Sequence, residues 1–164
     1  MPSTGTTQIV TFIARNPKLT REEFYKHWGT VHAPLVAPWA EKHGIISYRQ
    51  QHSAGKMVPY MDDSAPNANR ENIPKTPQEY DGFVVWEVPS LESFRNAFKD
   101  PYYLEFIEPD EHNLIDKNSF AGGIVATFSS PIFEVLKDNR SRLSGGNTDE
   151  FRRRFDEFEA RQRG

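Results

Sequence analysis

A capping box opens at Thr20, with Glu23 three residues on, and four large apolar residues follow it at helical spacing. Phe24, Trp28, Val31 and Leu35 stand at i, i+4, i+7 and i+11, which on a helix keeps them within about a 60° sector. That stripe must face a core, so the segments around it have to supply the rest of that core. Pro34 and Pro38 interrupt the run, which predicts a kink or break near Ala33 and a second short helix ending at Gly44.

The flanks read as strands. Residues 8–15 (QIVTFIAR) form an apolar, β-branched run that Asn16-Pro17 stops, and residues 44–53 (GIISYRQQHS) alternate imperfectly. Residues 55–79 collect Pro59, Pro66 and Pro74 without any hydrophobic period and are expected to be a long loop, either a lid that closes over ligand, a disordered insert or an arm that wraps a dimer partner. A third strand spans 80–88 (YDGFVVWEV), and Ser90 leads into a helix whose buried stripe is Leu91, Phe94 and Phe98. Asp100-Pro101 ends that helix, 102–116 reads as an irregular helical stretch, and 119–128 (SFAGGIVATF) as a fourth strand. The order β-α-β-β-α-β predicts an α+β, ferredoxin-like domain over residues 1–131, an antiparallel sheet with helices on one face. Residues 132–164 form an extension, where Thr148 as cap and Phe151, Phe155 and Phe158 predict an amphipathic helix packed on its own chain or on a partner subunit.

Composition narrows the function classes. Among 164 residues there is no Cys, which excludes disulfides, a thiolate nucleophile and cysteine-ligated metals. A formal charge of −3 gives no electrostatic reason to expect nucleic acid or an anionic membrane. With neither a signal peptide nor a spanning segment in view, a soluble cytoplasmic protein is expected. The chain carries no phosphate-cradling glycine loop, HExxH pair or GxSxG elbow. His27 and His32 stand five apart, about 140° around an α-helix, the wrong spacing for two ligands on one metal, so no metal site is expected. What remains is acid/base work by His, carboxylates and Tyr in an aromatic cavity.

Residues 16–35, NPKLTREEFYKHWGTVHAPL, resemble the opening helix of the EthD-like proteins of the dimeric α/β-barrel superfamily. The matching positions are Thr20, Glu23, Phe24, Trp28, His32, Ala33, Pro34 and Leu35, and YDGFVVWEV with the helix from Ser90 fits the second half. The resemblance implies a homodimer whose two sheets pack as a barrel, with a substrate hollow in each subunit. Segment 99–116, with its Pro-Asp-Glu triplet, is similar to the fungal branch, which implies cofactor-free decarboxylation or dehydration of aromatic polyketides such as anthrone or naphthol precursors. Plant polyketide cyclases of the superfamily carry a Tyr and a His where this chain has Ala97 and Tyr103, so their catalytic pair does not carry over.

The residues then offer several acid/base candidates. His32 lies about 70° off the stripe, at its edge, either as a catalytic group or as support for the turn at Pro34; His27 lies on the other flank. Asp81 either hydrogen-bonds a turn or orients a histidine. His112 sits among Asp110, Glu111 and Asp116, as a general acid or as part of a solvated helix end. For substrate binding, Tyr48 and Arg49 point to opposite sheet faces, so only one enters the hollow. Tyr25 shares the side of His32, and Trp28, Trp86, Phe94, Phe98, Tyr102, Tyr103 and Phe106 are candidate aromatic walls. The expected function is a cofactor-free lyase on an aromatic polyketide, the alternatives being a cyclase, an anthrone monooxygenase or a non-catalytic binding module for a hydrophobic small molecule.

Overall fold

A computed structural model describes residues 5–57 and 78–163, divided into two units, Met1–Ile132 and Phe133–Gly164. In chain order the first unit runs β1 (Thr7–Ile13), α1 (Arg21–His27), a π turn (Trp28–His32), α2 (Ala33–Lys42), β2 (Ser47–Gln51), β3 (Gly55–Met57), β4 (Gln78–Tyr80) and β5 (Gly82–Val88). It continues with α3 (Leu91–Ala97), a second π turn (Tyr103–Ile107), α4 (Glu108–Leu114), a 3-10 turn (Phe120–Gly123) and β6 (Ile124–Pro131).

Strands β1, β2, β5 and β6 form one antiparallel sheet in the order β2-β5-β1-β6, the arrangement of a ferredoxin-like fold. The pairing of Thr7 with Val88 and of Ile13 with Gly82 fixes which side chains face the helices. Ile9, Ile13, Val84 and Val88 are buried on that side. One part of the core joins Ile13 and Val84 to Phe24, Trp28, Leu114 and Ile115; the other joins Val36, Trp39 and Ala40 to Ala97, Tyr103 and Ile107.

The stripe predicted from the capping box is half right, and the error is informative. The box forms, with Glu23 N–H donating to Thr20 Oγ1 at 3.2 Å and Thr20 N–H to Glu23 Oε2 at 2.7 Å. Phe24 and Trp28 are buried, but Val31 is 48% exposed, and the buried positions beyond Trp28 are His32 and Val36. The cause is the π turn, closed by the Ala33 N–H on the Trp28 carbonyl, which replaces the expected break and shifts the helical phase by one residue. Pro34 accounts for it, since its ring crowds the carbonyl four residues back, that of Thr30, and it has no N–H to offer that carbonyl. The second π turn has the same design, with Pro109 two residues past its end, as Pro34 is past the first.

Other boundaries also moved. The segment read as one loop over 55–79 begins and ends in strands, β3 pairing with β4 from Gly55 opposite Tyr80 to Met57 opposite Gln78. The lid expected there falls on residues 58–77, outside the described residues. The fourth strand starts at Ile124 instead of 119 because Ala121, Gly122 and Gly123 take positive φ values of 57°, 63° and 87°. Asp100 ends α3 and fastens it to α2. Its carboxylate accepts from Lys42 Nζ at 2.6 Å, from the Tyr102 N–H at 2.8 Å and from His43 Nε2 at 2.7 Å, and these bonds, the Lys42 one foremost, hold its pKa down at about 2.

The second unit contains a hairpin, β7 (Leu136–Lys137) and β8 (Arg140–Ser141), whose turn residues Asp138 and Asn139 both have positive φ, and α5 (Thr148–Gln162). Asn147, not Thr148, occupies the cap position. Phe151, Phe155 and Phe158 keep their helical spacing, each about half exposed. No helix among the described residues is long and apolar enough to cross a membrane.

Candidate active site

Between the sheet and the helices lies a cavity of about 350 Å³. Thr11, Val84 and Thr127 form part of its floor, and Trp28, Trp86, Phe94 and Phe98 wall it. The polar or ionisable groups on it, beyond the floor threonines, are His32, Tyr48, Tyr103, Glu111 and Lys117. An apolar pocket with few convergent polar groups is the usual form of a small-molecule site.

His32 is 7% exposed, and its Nδ1 lies 2.8 Å from Asp110 Oδ2. The other carboxylate oxygen of Asp110 lies 2.8 Å from His27 Nε2. The two imidazoles, expected on different helix flanks, therefore meet one carboxylate, because the π turn between them brings residues five apart onto one side. An ionised carboxylate only accepts hydrogen bonds, so His32 carries its proton on Nδ1 and a neutral ring leaves Nε2 bare. Among the described residues Nε2 has no hydrogen-bond partner, and the ring lines the cavity. A bare imidazole nitrogen backed by a carboxylate is a general base whose protonated form is stabilised in place.

A second cluster sits on the α4 side. Glu111 accepts from the Tyr103 hydroxyl at 2.8 Å with one oxygen and from Lys117 Nζ at 2.8 Å with the other. Burial first, and the Glu111 charge second, push the Tyr103 hydroxyl up in pKa, so it stays protonated and donates its O–H to Glu111.

The segment that builds this site is also the segment that places the chain among known proteins. The EthD domain family matches residues 16–118, which include the opening helix, both π turns and the Asp110-Glu111 pair. The chain belongs to this family. Among its relatives are the dehydratase ustZ of Ustilaginoidea virens, 32% identical over 102 residues (62% of this chain, 69% of the relative), and a dehydratase of Cercospora beticola, 25% identical over 113 residues (69% and 83%). A conidial pigment biosynthesis dehydratase of Metarhizium robertsii is 26% identical over 126 residues, 76% of this chain and 80% of the relative.

Within this EthD domain the other sequence candidates separate cleanly. Trp28, Tyr48, Trp86, Phe98 and Tyr103 line the cavity with His32, whereas Tyr25, Arg49, Asp81, Phe106 and His112 do not. Tyr48 and Arg49 obey the strand alternation, and Tyr48 is the one turned inward. Asp81 orients no histidine: it accepts from the Arg15 N–H at 3.0 Å, lies 3.2 Å from both the Arg15 and Arg21 side chains, and takes the Tyr25 hydroxyl on its carbonyl at 2.7 Å. It fastens α1 to the sheet end, the turn role weighed for it. His112 bonds Glu108 at 2.7 Å with more than half its side chain exposed, so it is the solvated helix end. Phe106 is 47% exposed because the second π turn points Tyr103 and Ile107 inward in its place. Of the two positions aligned with the plant cyclase pair, Tyr103 lines the cavity and Ala97 is wholly buried without chemistry. Reasoning from the sequence assigned no site role to Asp110, Glu111, Lys117, Thr11 or Thr127. The signal for the acidic pair was the Pro-Asp-Glu triplet, which repeats the proline placement of His-Ala-Pro.

Proposed function

We propose that this protein is a dehydratase of an aromatic polyketide intermediate, removing water from a β-hydroxy ketone by acid/base chemistry that calls for no cofactor. The observation that carries the reading is His32, tied to Asp110 through Nδ1 and open through Nε2 to an aromatic-walled cavity. His32 Nε2 takes the proton from the carbon beside the ketone, and the C–H electron pair passes into an enolate. As the enolate collapses, the C–O bond to the hydroxyl breaks, and the imidazolium returns the proton to the departing oxygen, so water leaves and a conjugated double bond remains. Asp110 stabilises the imidazolium between the two transfers. The relatives named above, all called dehydratases and one of them in pigment biosynthesis, support the same choice.

Decarboxylation of a β-keto acid would pass through a similar enolate and calls for a donor at the ketone oxygen, so what favours elimination over it is that the relatives are named dehydratases. The test is incubation with a partly aromatised β-hydroxy ketone that also carries a carboxyl group β to a ketone, reading water loss, CO₂ release and O₂ uptake together. Water loss alone is the expected result. CO₂ release, O₂ uptake or binding without turnover would each replace the reading, with a decarboxylase, an oxygenase or a binding module respectively.

The proposed assembly is a homodimer. The sheet face away from the helices carries Val10, Phe12, Phe83, Val85 and Phe128; Phe12 packs 5.0 Å from Phe83, and Phe128 is 58% exposed. An apolar face of this kind is what a second sheet covers. Sedimentation at micromolar concentration is expected to give twice 18.9 kDa, and a stable monomer would rule the barrel out.

A further inference from the structure

Beside the cavity a chain of hydrogen bonds on β2 orients one more group. The Gln50 side-chain amide donates to the Trp28 carbonyl at 3.1 Å and to the Tyr48 hydroxyl oxygen at 2.7 Å, and its oxygen lies 2.9 Å from His52 Nε2. The direction of this chain is forced. A backbone carbonyl only accepts, so the NH₂ end of Gln50 must be the end facing Trp28 and Tyr48, and its oxygen then requires the proton of His52 on Nε2. His52 is held in turn by stacking on Tyr25 and Trp28, with ring centroids 5.0 Å and 5.1 Å away.

The consequence falls on Tyr48. Its oxygen is an acceptor toward Gln50, and its own proton has no acceptor among the described residues. The ring lies flat on Trp86, 4.1 Å between centroids with 6° between planes, and the residue lines the cavity. Tyr103, the other phenol on the cavity, differs in this respect, since its O–H already donates to Glu111.

We propose that Tyr48 is the donor that holds the substrate's ring or ketone oxygen as negative charge gathers there, with Gln50 and His52 as positioning residues. Its part in turnover rests on the elimination reading above; the donor itself is read from the hydrogen bonds. The ligand class that fits is a planar aromatic carrying an ionisable ring oxygen, its plane alongside the Tyr48–Trp86 stack. Burial pushes the Tyr48 hydroxyl up to about 12, so it stays a neutral donor across the working pH range.

The test uses 2-naphthol as probe, its ionisation followed by absorbance when bound to the full chain. The wild type is expected to lower the pKa of bound naphthol by about one unit, a tenfold gain in naphtholate. Tyr48→Phe, which keeps the ring stack, is expected to bind naphthol without that shift and to lower kcat by about 10²–10³-fold with KM little changed. Gln50→Leu is expected to lose part of both effects by freeing the phenol. An unshifted naphthol in the wild type, or the same shift and the same kcat in Tyr48→Phe, overturns the assignment. If the wild type shifts naphthol through Tyr48 but dehydrates nothing, the donor stands and the elimination reading fails. If dehydration proceeds at full rate in Tyr48→Phe, the elimination reading stands and the donor falls.

Discussion

Replacing His32 with Ala is expected to lower kcat for dehydration by about 10²-fold or more, the scale of losing a positioned acid/base group. Both proton transfers pass through its Nε2, and the other polar groups on the cavity do not supply a base in its place: the Tyr103 O–H donates to Glu111, Lys117 is paired with the same carboxylate, and Tyr48 is a neutral donor. Asp110→Asn is expected to fall in the same direction, because the amide keeps the shape but removes the charge that stabilises the imidazolium. His27→Gln is expected to change turnover far less, since His27 bonds the other oxygen of Asp110 and does not line the cavity. Thermal melts accompany the kinetics. His32 is almost fully buried, so the Ala variant also leaves a void, and His32→Gln separates the two effects by keeping a polar side chain at the position. A folded His32→Gln variant with wild-type kcat would sink the catalytic assignment and leave His32 as support for the turn before Pro34.

Gly82→Ala is expected to destabilise the protein by about 1–3 kcal/mol, the range for forcing extra atoms into a packed core. The sign is diagnostic. Within a strand, exchanging Gly for Ala ordinarily gains stability, because Gly loses more conformational freedom on folding. Here a Cβ would lie 2.6 Å from the Trp28 ring and 2.9 Å from the Gln51 carbonyl, and neither can give way easily. Trp28 is 1% exposed and stacks on Phe24 with centroids 5.2 Å apart, and the Gln51 carbonyl belongs to β2. Displacing Trp28 moves a cavity wall and the carbonyl that anchors Gln50, so kcat/KM is expected to fall together with stability. Urea unfolding reads the first effect as a lower midpoint at unchanged slope. A Gly82→Ala protein as stable as the wild type would show that the strand and the indole separate more readily than their packing implies.

How much of this was legible beforehand depends on how far each interaction reaches along the chain. The capping box at Thr20, the helix start at Ser90, the strand alternation that turned Tyr48 inward and the order β-α-β-β-α-β all depend on neighbours within a few residues, and the sequence displays them directly. The phase of the helix after Trp28 was not legible from periodicity alone. The reading at 3.6 residues per turn put Val31 on the core and His32 at the edge, and the π turn forced ahead of Pro34 exchanged them.

Pairings between distant residues lay further out of reach. Asp110 is 78 residues from His32 and 83 from His27, so its role emerged only when α4 packed beside the first π turn. Asp81 went the other way: the same charge that made it a candidate partner for a histidine was claimed by Arg15 and Arg21 once β1 and α1 met. By itself the sequence determined the four strands of the sheet, the helices between them, their order and the aromatic content of the walls, because backbone propensity and side-chain periodicity are local. Which histidine received a carboxylate, and which phenol kept its proton for a ligand, only the tertiary structure decided, because a carboxylate has two oxygens and the folded geometry alone determines which donors reach them.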